Sequence, residues 1–219
     1  MSALFIVRDQ RALVTALDTN TPSAKLSWVN AQATYERMDE IDGEVDPDAP
    51  EKDWPSFHLP RIPVPELRID DRDFALDMFF IGWWIVSARM RDALALRDDE
   101  AVFREANVTG APGPARLGYA AMAPIHHVDG IDPDRSDIDE INERGSPQYY
   151  WELASMLGRK PRVALRPDLR APAALFYMDR TDWLMITAEA AQRVRAAGIT
   201  NVFFDEPGPI YGSWMEGPP

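Results

Sequence analysis

Two segments of the chain, residues 83–103 and 183–203, carry similar residues at a constant offset of 100 positions. The matched residues are Trp83 with Trp183, Ser87 with Thr187, Ala88 with Ala188, and Val102-Phe103 with Val202-Phe203. Each segment predicts a short apolar strand, a Ser or Thr N-cap, a helix of about ten residues, a break and a second strand. A duplication explains the likeness, and so does chance, because capping preferences alone generate similar units. Under both explanations we expect two similar strand–helix–strand units, which are weakly related if a duplication produced them.

The remainder of the chain predicts further short elements separated by proline-rich loops. Strands are expected at LFIV near the start, at residues 162–168 and at residues 174–178, and an amphipathic helix is expected at residues 147–157. This irregular order favours an α+β fold with a mixed or antiparallel sheet over a regular parallel βαβ array. A length of 219 residues suits one compact unit, so we expect a single domain over residues 1–219.

Residues 36–53, ERMDEIDGEVDPDAPEKD, are dense in acidic side chains. They include two prolines and a glycine and show no sustained apolar period, so they predict an acidic, solvated loop or a mobile acidic arm. The whole chain has a formal net charge of −13, which repels phosphate backbones and anionic lipids and attracts basic partners. Nucleic-acid and membrane partners are therefore not expected. A basic protein partner is one explanation of the acidity, and solubility is the other.

The location of the protein in the cell is indicated by what its sequence lacks. The chain has no cysteine, which excludes disulfides and thiol catalysis. The start, MSALFIVRDQRALV, has neither the basic beginning nor the long apolar run of a secretory signal. The nearest candidate for a membrane span, FALDMFFIGWWIV, contains Asp77 and Gly82 and is shorter than the roughly 18 residues that a span requires. We therefore expect a cytoplasmic protein.

The stretch at residues 126–145, HHVDGIDPDRSDIDEINERG, sets two histidines before a run of acidic residues. A capped helix explains most of it. Ser136 serves as the N-cap, three acidic residues fall in the first turn, and Gly145 lies just beyond the last turn. In this interpretation the acidic side chains stabilise the positive end of the helix dipole and need no metal.

Two kinds of metal site are alternatives to that helix. A calcium loop beginning at Asp132 has oxygen-bearing side chains at five of the expected positions, but Asp137 stands where the loop needs a glycine. A site made from His126, His127, Asp129 and Asp132 is the second alternative. It depends on carboxylate ligands, because the chain has one other histidine and no cysteine.

Motifs of common enzyme classes do not occur in the sequence. The phosphate-binding G-x-x-x-x-G-K-[ST], the dinucleotide-binding G-x-G-x-x-G, the hydrolase G-x-S-x-G and the zinc-protease H-E-x-x-H are all missing. A scattered acid–base pair that converges only in the fold stays open as an alternative. The sequence therefore shows no catalytic signature, and it identifies no catalytic residue and no cofactor.

Three features follow one another along residues 80–205. They are a strand leading into the Ser-capped helix of IVSARMRDAL, the stretch LGYAAMAPIHHVDGIDPDRS with Asp129, Asp132 and Ser136, and the final helix AEAAQRVRAAG before a strand. In this order they resemble the bacterial polymorphic-toxin immunity proteins, specifically the family numbered eleven. The resemblance implies a small, non-enzymatic cytoplasmic protein that binds and blocks a toxin domain, and it supplies no catalytic residues.

Under this hypothesis the acidic segments approach a basic toxin, such as a nuclease with a positive cleft. The candidate partner-binding residues are Asp39, Asp42, Asp46, Asp132, Asp134, Asp137 and Asp139. The main alternative is a metal-binding protein or metal-dependent enzyme that uses the His/Asp cluster at residues 126–140. A structural module of a larger secretion or phage-defence assembly is a third possibility.

Overall fold

The computed structural model describes residues 4–9, 26–45, 55–136, 164–178 and 183–205. Within these ranges, short strands and short helices are mixed along the chain, which confirms the α+β class. The strands are β1 Leu4–Asp9, β2 Leu26–Trp28, β3 Glu66–Ile69, β4 Met78–Phe80, β5 Trp84–Val86, β6 Ala101–Glu105, β7 Asn107–Gly110, β8 Ala120–Pro124, β9 His127–Val128, β10 Leu175–Met178, β11 Leu184–Thr187 and β12 Val202–Asp205. The helices are α1 Ala31–Glu44, α2 Pro55–His58, α3 Ala88–Leu94, α4 Pro112–Ala115 and α5 Ala188–Ala196, and Pro133–Arg135 forms a 3₁₀ turn. No helix in these ranges has the length and apolar character needed to cross a membrane.

These strands form three sheets. The large sheet has the order β12-β1-β11-β10-β9, the central sheet has the order β4-β5-β8-β6, and the small sheet has the order β2-β3-β7. Neighbouring strands are antiparallel except in the pairs β9–β10 and β3–β7, which are parallel. The predicted mixed or antiparallel pairing is therefore confirmed, although it is distributed over three sheets.

The two sequence-related segments fold alike, as a strand, a capped helix and a second strand. The Ser87 hydroxyl accepts a hydrogen bond from the Met90 N–H at 3.1 Å, and the Thr187 hydroxyl accepts one from the Ala190 N–H at 3.4 Å. In both units the second strand runs parallel to the first, with one antiparallel strand between them. This is a split βαβ arrangement. The intervening strand is β8 in the central sheet and β1 in the large sheet.

Each intervening strand comes from the half of the chain that does not contain the unit it joins. Strand β1 precedes the first unit but lies in the sheet of the second unit. Strand β8 precedes the second unit but lies in the sheet of the first. Each half of the chain thus begins with a strand that completes the sheet of the other half. Neither sheet is complete with strands from one half alone.

The constant offset between the two segments does not persist after the helices. Trp84 and Phe103 both pair with Met122 of β8, whereas Met185 and Asp205 both pair with Ile6 of β1. The spacing between the paired strands is therefore one residue longer in the second unit, where helix α5 has nine residues against seven in α3. Because side chains alternate between faces, this shift decides which side chains point inward. The inward-facing equivalents are Ala101 with Val202 and Phe103 with Phe204, so the predicted match of Val102-Phe103 with Val202-Phe203 is wrong.

Three apolar clusters hold the sheets and helices together. The shared core unites one face of the central sheet, one face of the large sheet, and helices α3 and α5. A second cluster joins the other face of the central sheet to the small sheet and to α1. A third covers the other face of the large sheet with Ile131, Leu165 and Leu169. Helix α1 and the loops around residue 131 therefore lie on the outer faces of two different sheets.

The predicted acidic loop at residues 36–53 is wrong for residues 36–44, which belong to helix α1. Thr34 and Ile41 are buried, and Met38 and Val45 also pack on the second cluster. These inward positions follow a spacing of four, three and four residues, which is a helical period. Glu, Met and Arg are also good helix formers. The helical period begins before residue 36, so the acidic composition of residues 36–53 hid it from sequence analysis. Residues 46–53 lie outside the described ranges.

Candidate functional site

Two of the acidic candidates predicted from the sequence lie on helix α1. The side chain of Asp39 is exposed, and that of Asp42 is also exposed. The Asp42 Oδ1 atom lies 3.3 Å from Nε2 of the buried His58. The helix carries five acidic side chains and one arginine, Arg37, whose pKa is raised by hydrogen bonding to Glu40. Helix α1 therefore presents a negative surface. Candidate Asp46 lies outside the described ranges.

Tyr35, Asp39 and Asp42 lie along one stripe of α1. They occupy positions i, i+4 and i+7, which are neighbours on a helix surface. Each of them comes one residue after a member of the inward-facing set Thr34, Met38 and Ile41. The stripe therefore borders the edge where the helix meets the rest of the protein. The acidic residues on it are thus next to an exposed aromatic ring.

The other acidic candidates belong to the region around the 3₁₀ turn. Asp132 is partly buried and its Oδ2 atom lies 3.7 Å from Nη1 of Arg135, whereas Asp134 is exposed. Asp137 and Asp139 lie outside the described ranges. This turn packs near the third cluster, on the outer face of the large sheet. The two acidic groups are therefore on different faces, and the structure does not bring them together as one site.

The proposed metal ligands at residues 126–132 take part in other contacts. The His127 ring lies 5.2 Å from the ring of Tyr177, and Asp129 accepts a hydrogen bond from Arg166 at 2.8 Å. The His126 carbonyl accepts one from the Tyr177 N–H at 2.9 Å. In the parts of the chain that the structure covers, no group of three or more His, Cys, Asp or Glu side chains is placed to hold a metal ion.

Ser136 makes contacts that the sequence did not indicate. Its hydroxyl donates to the Asp132 carbonyl at 2.6 Å and accepts from the Ala164 N–H at 2.9 Å. The hydroxyl thus ties the 3₁₀ turn to the segment that follows residue 163. The helix predicted to begin after Ser136, with the remaining acidic residues of the calcium alternative, lies outside the described ranges, as does the helix predicted at residues 147–157.

A buried polar cluster, missed in the sequence, surrounds Asp77. Its carboxylate accepts hydrogen bonds from the Ser87 hydroxyl at 2.6 Å and from Arg89 Nε at 3.1 Å. The Asp77 N–H donates to the side chain of Asn201 at 3.1 Å. Bonding to Asp77 raises the pKa of Arg89. Burial, with a smaller contribution from Asp77, raises the pKa of Tyr119. The cluster joins the start of β4 and α3 to the loop before β12, which is a structural role.

A groove of about 990 Å³ lies where the loop before β10 meets α5 and the loop after α3. Its lining includes Arg97, Glu100, Glu189 and Arg193. These charges pair with one another: Arg97 lies 3.6 Å from Glu100, and Arg193 donates to Glu189 at 3.2 Å. The pairing satisfies these four charged groups, and Arg170 also lines the groove.

An exposed apolar surface adjoins the negative stripe of α1. We call it the Tyr35 surface, and it consists of Trp28, Val29, Tyr35 and Val64. The Trp28 and Tyr35 rings lie 5.5 Å apart, and the exposed fractions of Val29, Tyr35 and Val64 are 57%, 49% and 39%. Sequence reasoning missed these residues, because an apolar residue before a helix or between prolines gives no sign of its exposure.

The family relationship of the chain follows from its sequence as a whole. Residues 18–208 match the sequence model of the immunity protein family (Imm11). This range contains residues 80–205, on which the resemblance was based, and it also includes α1 and the small sheet. A comparison with curated proteins gives no match. Because the family match covers most of the sequence, the chain belongs to the Imm11 immunity protein family.

Proposed function

We propose that this protein binds a cognate bacterial toxin domain in the cytoplasm and neutralises it by covering the toxin's functional surface. The observation that carries the proposal is the match to the immunity protein family over residues 18–208. An immunity role of this kind requires a protein–protein interface and no chemistry of its own. The protein is therefore proposed to act as a binding protein, without a cofactor.

We further propose that the toxin domain is basic. The formal net charge of −13 and the negative surface of α1 favour association with a positive partner. A nuclease is one example, because its substrate-binding cleft must attract phosphate. Of the candidate partner-binding residues, Asp39 and Asp42 on α1 are proposed to face the toxin. We propose that Asp132 and Asp134, on the outer face of another sheet, contribute to the overall negative electrostatic field that attracts the toxin.

Co-expression with the toxin domain encoded by the neighbouring gene tests the immunity role. We expect the toxin alone to stop growth of the host cells and the pair to restore growth, with the two proteins co-eluting from a sizing column. The control is the same toxin co-expressed with an unrelated acidic protein of similar size. Toxicity that persists in the presence of this protein, with no co-elution, would contradict the proposal.

Charge reversal tests the electrostatic part of the proposal. We expect Asp39→Lys to slow association with the toxin domain by about threefold at low salt, because the charge change weakens steering. Surface plasmon resonance at several salt concentrations measures this rate, and the difference should shrink as the Debye length falls to about 3 Å near 1 M salt. Asp134→Lys is the matched control, since it makes the same charge change on an exposed side chain of another face. Equal slowing by both variants would contradict a contact through α1.

A further inference from the structure

We infer that the Tyr35 surface is the place where the basic partner docks, with Tyr35 as the central apolar contact and the acidic stripe of α1 as its charged border. This inference rests on the proposed function, because it assigns a surface to the same toxin partner. It goes beyond the acidic residues, since it assigns the lasting contact to apolar side chains. Charge then governs how fast the complex forms, and apolar contact governs how long it lasts.

The first support is that the surface is apolar, exposed and held in place. The Asn30 side chain accepts hydrogen bonds from Trp28 Nε1 at 2.9 Å and from the Glu66 N–H at 3.0 Å, and it donates to the Val64 carbonyl at 2.8 Å. One side chain therefore ties the Trp28 ring to the backbone at Val64 and Glu66, and the Val29 N–H donates to the Glu66 carbonyl at 2.7 Å. Fixed apolar groups lose little entropy when a partner covers them, which favours binding.

The second support is the hairpin beneath the aromatic pair. Gly82, in the turn between β4 and β5, has a φ of +81°. A Cβ atom at this position would lie 2.7 Å from Cζ3 of Trp28 and 3.2 Å from the hydroxyl of Tyr35. The Trp28 ring and the Tyr35 hydroxyl therefore lie directly against the glycine backbone. This contact with the β4–β5 turn positions Tyr35, while about half of its side chain stays exposed to solvent.

The third support is the combination of aromatic and charged groups. Tyrosine and tryptophan are enriched among the residues that dominate protein–protein binding energies, and they are most effective when a polar border surrounds them. Asp39 lies one helical turn from Tyr35 on the same stripe, and Glu36 is the next residue along the chain. The border of the Tyr35 surface is therefore acidic on the side of α1, which fits a partner with basic side chains around an apolar patch.

Charge also decides between the possible occupants. A second copy of this chain, docked through the same surface, would bring two acidic stripes together, and like charges across an interface oppose binding. A nucleic acid or an anionic membrane would be repelled by the same stripe. A basic protein is the occupant whose charge complements the surface.

Substitution of Tyr35 tests the assignment against the neighbouring-gene toxin domain. We expect Tyr35→Ala to raise the Kd of the complex by roughly 30-fold, mainly through faster dissociation, as is typical of a central interface residue. Val29→Ser, at the most exposed position of the surface, should raise the Kd in the same direction. Phe203→Ala is the control, because Phe203 is 37% exposed on β12 in the large sheet and should leave the Kd within about twofold of wild type.

Independent measurements keep folding and binding apart. Thermal unfolding should show each variant folded at the temperature of the binding assay. Hydrogen exchange on the wild-type complex should show slower exchange around residues 28–35 and 64–66, whatever the variants do. If the wild-type protein binds the toxin but exchange there is unchanged and Tyr35→Ala binds normally, the docking assignment is overturned while the immunity role stands. If the wild-type protein neither binds the toxin nor restores growth of the host cells, both the docking assignment and the immunity role are overturned.

Discussion

Replacing Gly110 with alanine is expected to lower the free energy of unfolding by about 3 kcal/mol or more. Gly110 pairs with Ile69 across the parallel strands β3 and β7 and has a φ of +99°. A Cβ atom there would lie 2.4 Å from the Ile69 carbonyl oxygen and 2.8 Å from its carbonyl carbon. These are backbone atoms of the middle strand of the small sheet, and the oxygen already accepts the Ala111 N–H at 2.7 Å. The strand must therefore shift, and urea unfolding would measure the loss.

Gly198→Ala is the matched control for this prediction. Gly198 also has a positive φ, +72°, but a Cβ atom at this position would have no neighbour within 4 Å. Only the conformational penalty applies there, which is about 1 kcal/mol. The difference in the free energy of unfolding between Gly110→Ala and Gly198→Ala therefore measures the cost of the clash. Equal destabilisation would show that β3 and β7 do not approach each other as closely as the structure has them.

The strand–helix–strand units were predictable because their signals are local. A Ser or Thr before an amphipathic stretch satisfies the first N–H groups of a helix, and apolar residues just before it favour a buried strand. The completion of each sheet by a strand from the other half of the chain was not predictable. Pairing between β1 and β11 joins residues far apart in sequence, and neither strand carries a residue that specifies its neighbour. The one-residue shift after the helices depends on the same pairing.

The candidate site was predicted only in part, for a related reason. Acidic composition identified Asp39 and Asp42 as exposed side chains, but it also suggested a loop where helix α1 forms. The helical period is carried by Thr34, Met38 and Ile41, which face inward. The apolar cluster on which Met38 and Ile41 pack is supplied largely by β-strands elsewhere in the chain. Tyr35 and the two aspartates lie along one stripe only because this segment is helical. The apolar part of the surface therefore became recognisable only in the fold.

Asp77→Ala is expected to lower the free energy of unfolding by about 2 to 3 kcal/mol. The substitution removes the acceptor of the buried Ser87 hydroxyl and of Arg89. Arg89 is half exposed and can turn to water, so its contribution is small. Ser87 is buried and loses its acceptor without gaining a new one, which gives the larger part of the cost. Urea unfolding would measure this loss as a lower midpoint with an unchanged slope.

The second unit shows why the loss should come from the side chain alone. Ala174 occupies the place of Asp77 there: its carbonyl accepts the Thr187 N–H at 3.0 Å, just as the Asp77 carbonyl accepts the Ser87 N–H at 2.8 Å. The same backbone hydrogen bond therefore forms when alanine occupies this position. Asp99→Ala is the control, because Asp99 also pairs with an arginine but is exposed, and its loss should cost less than about 0.5 kcal/mol. If Asp77→Ala costs no more than this control, the buried cluster does not stabilise the junction between the units.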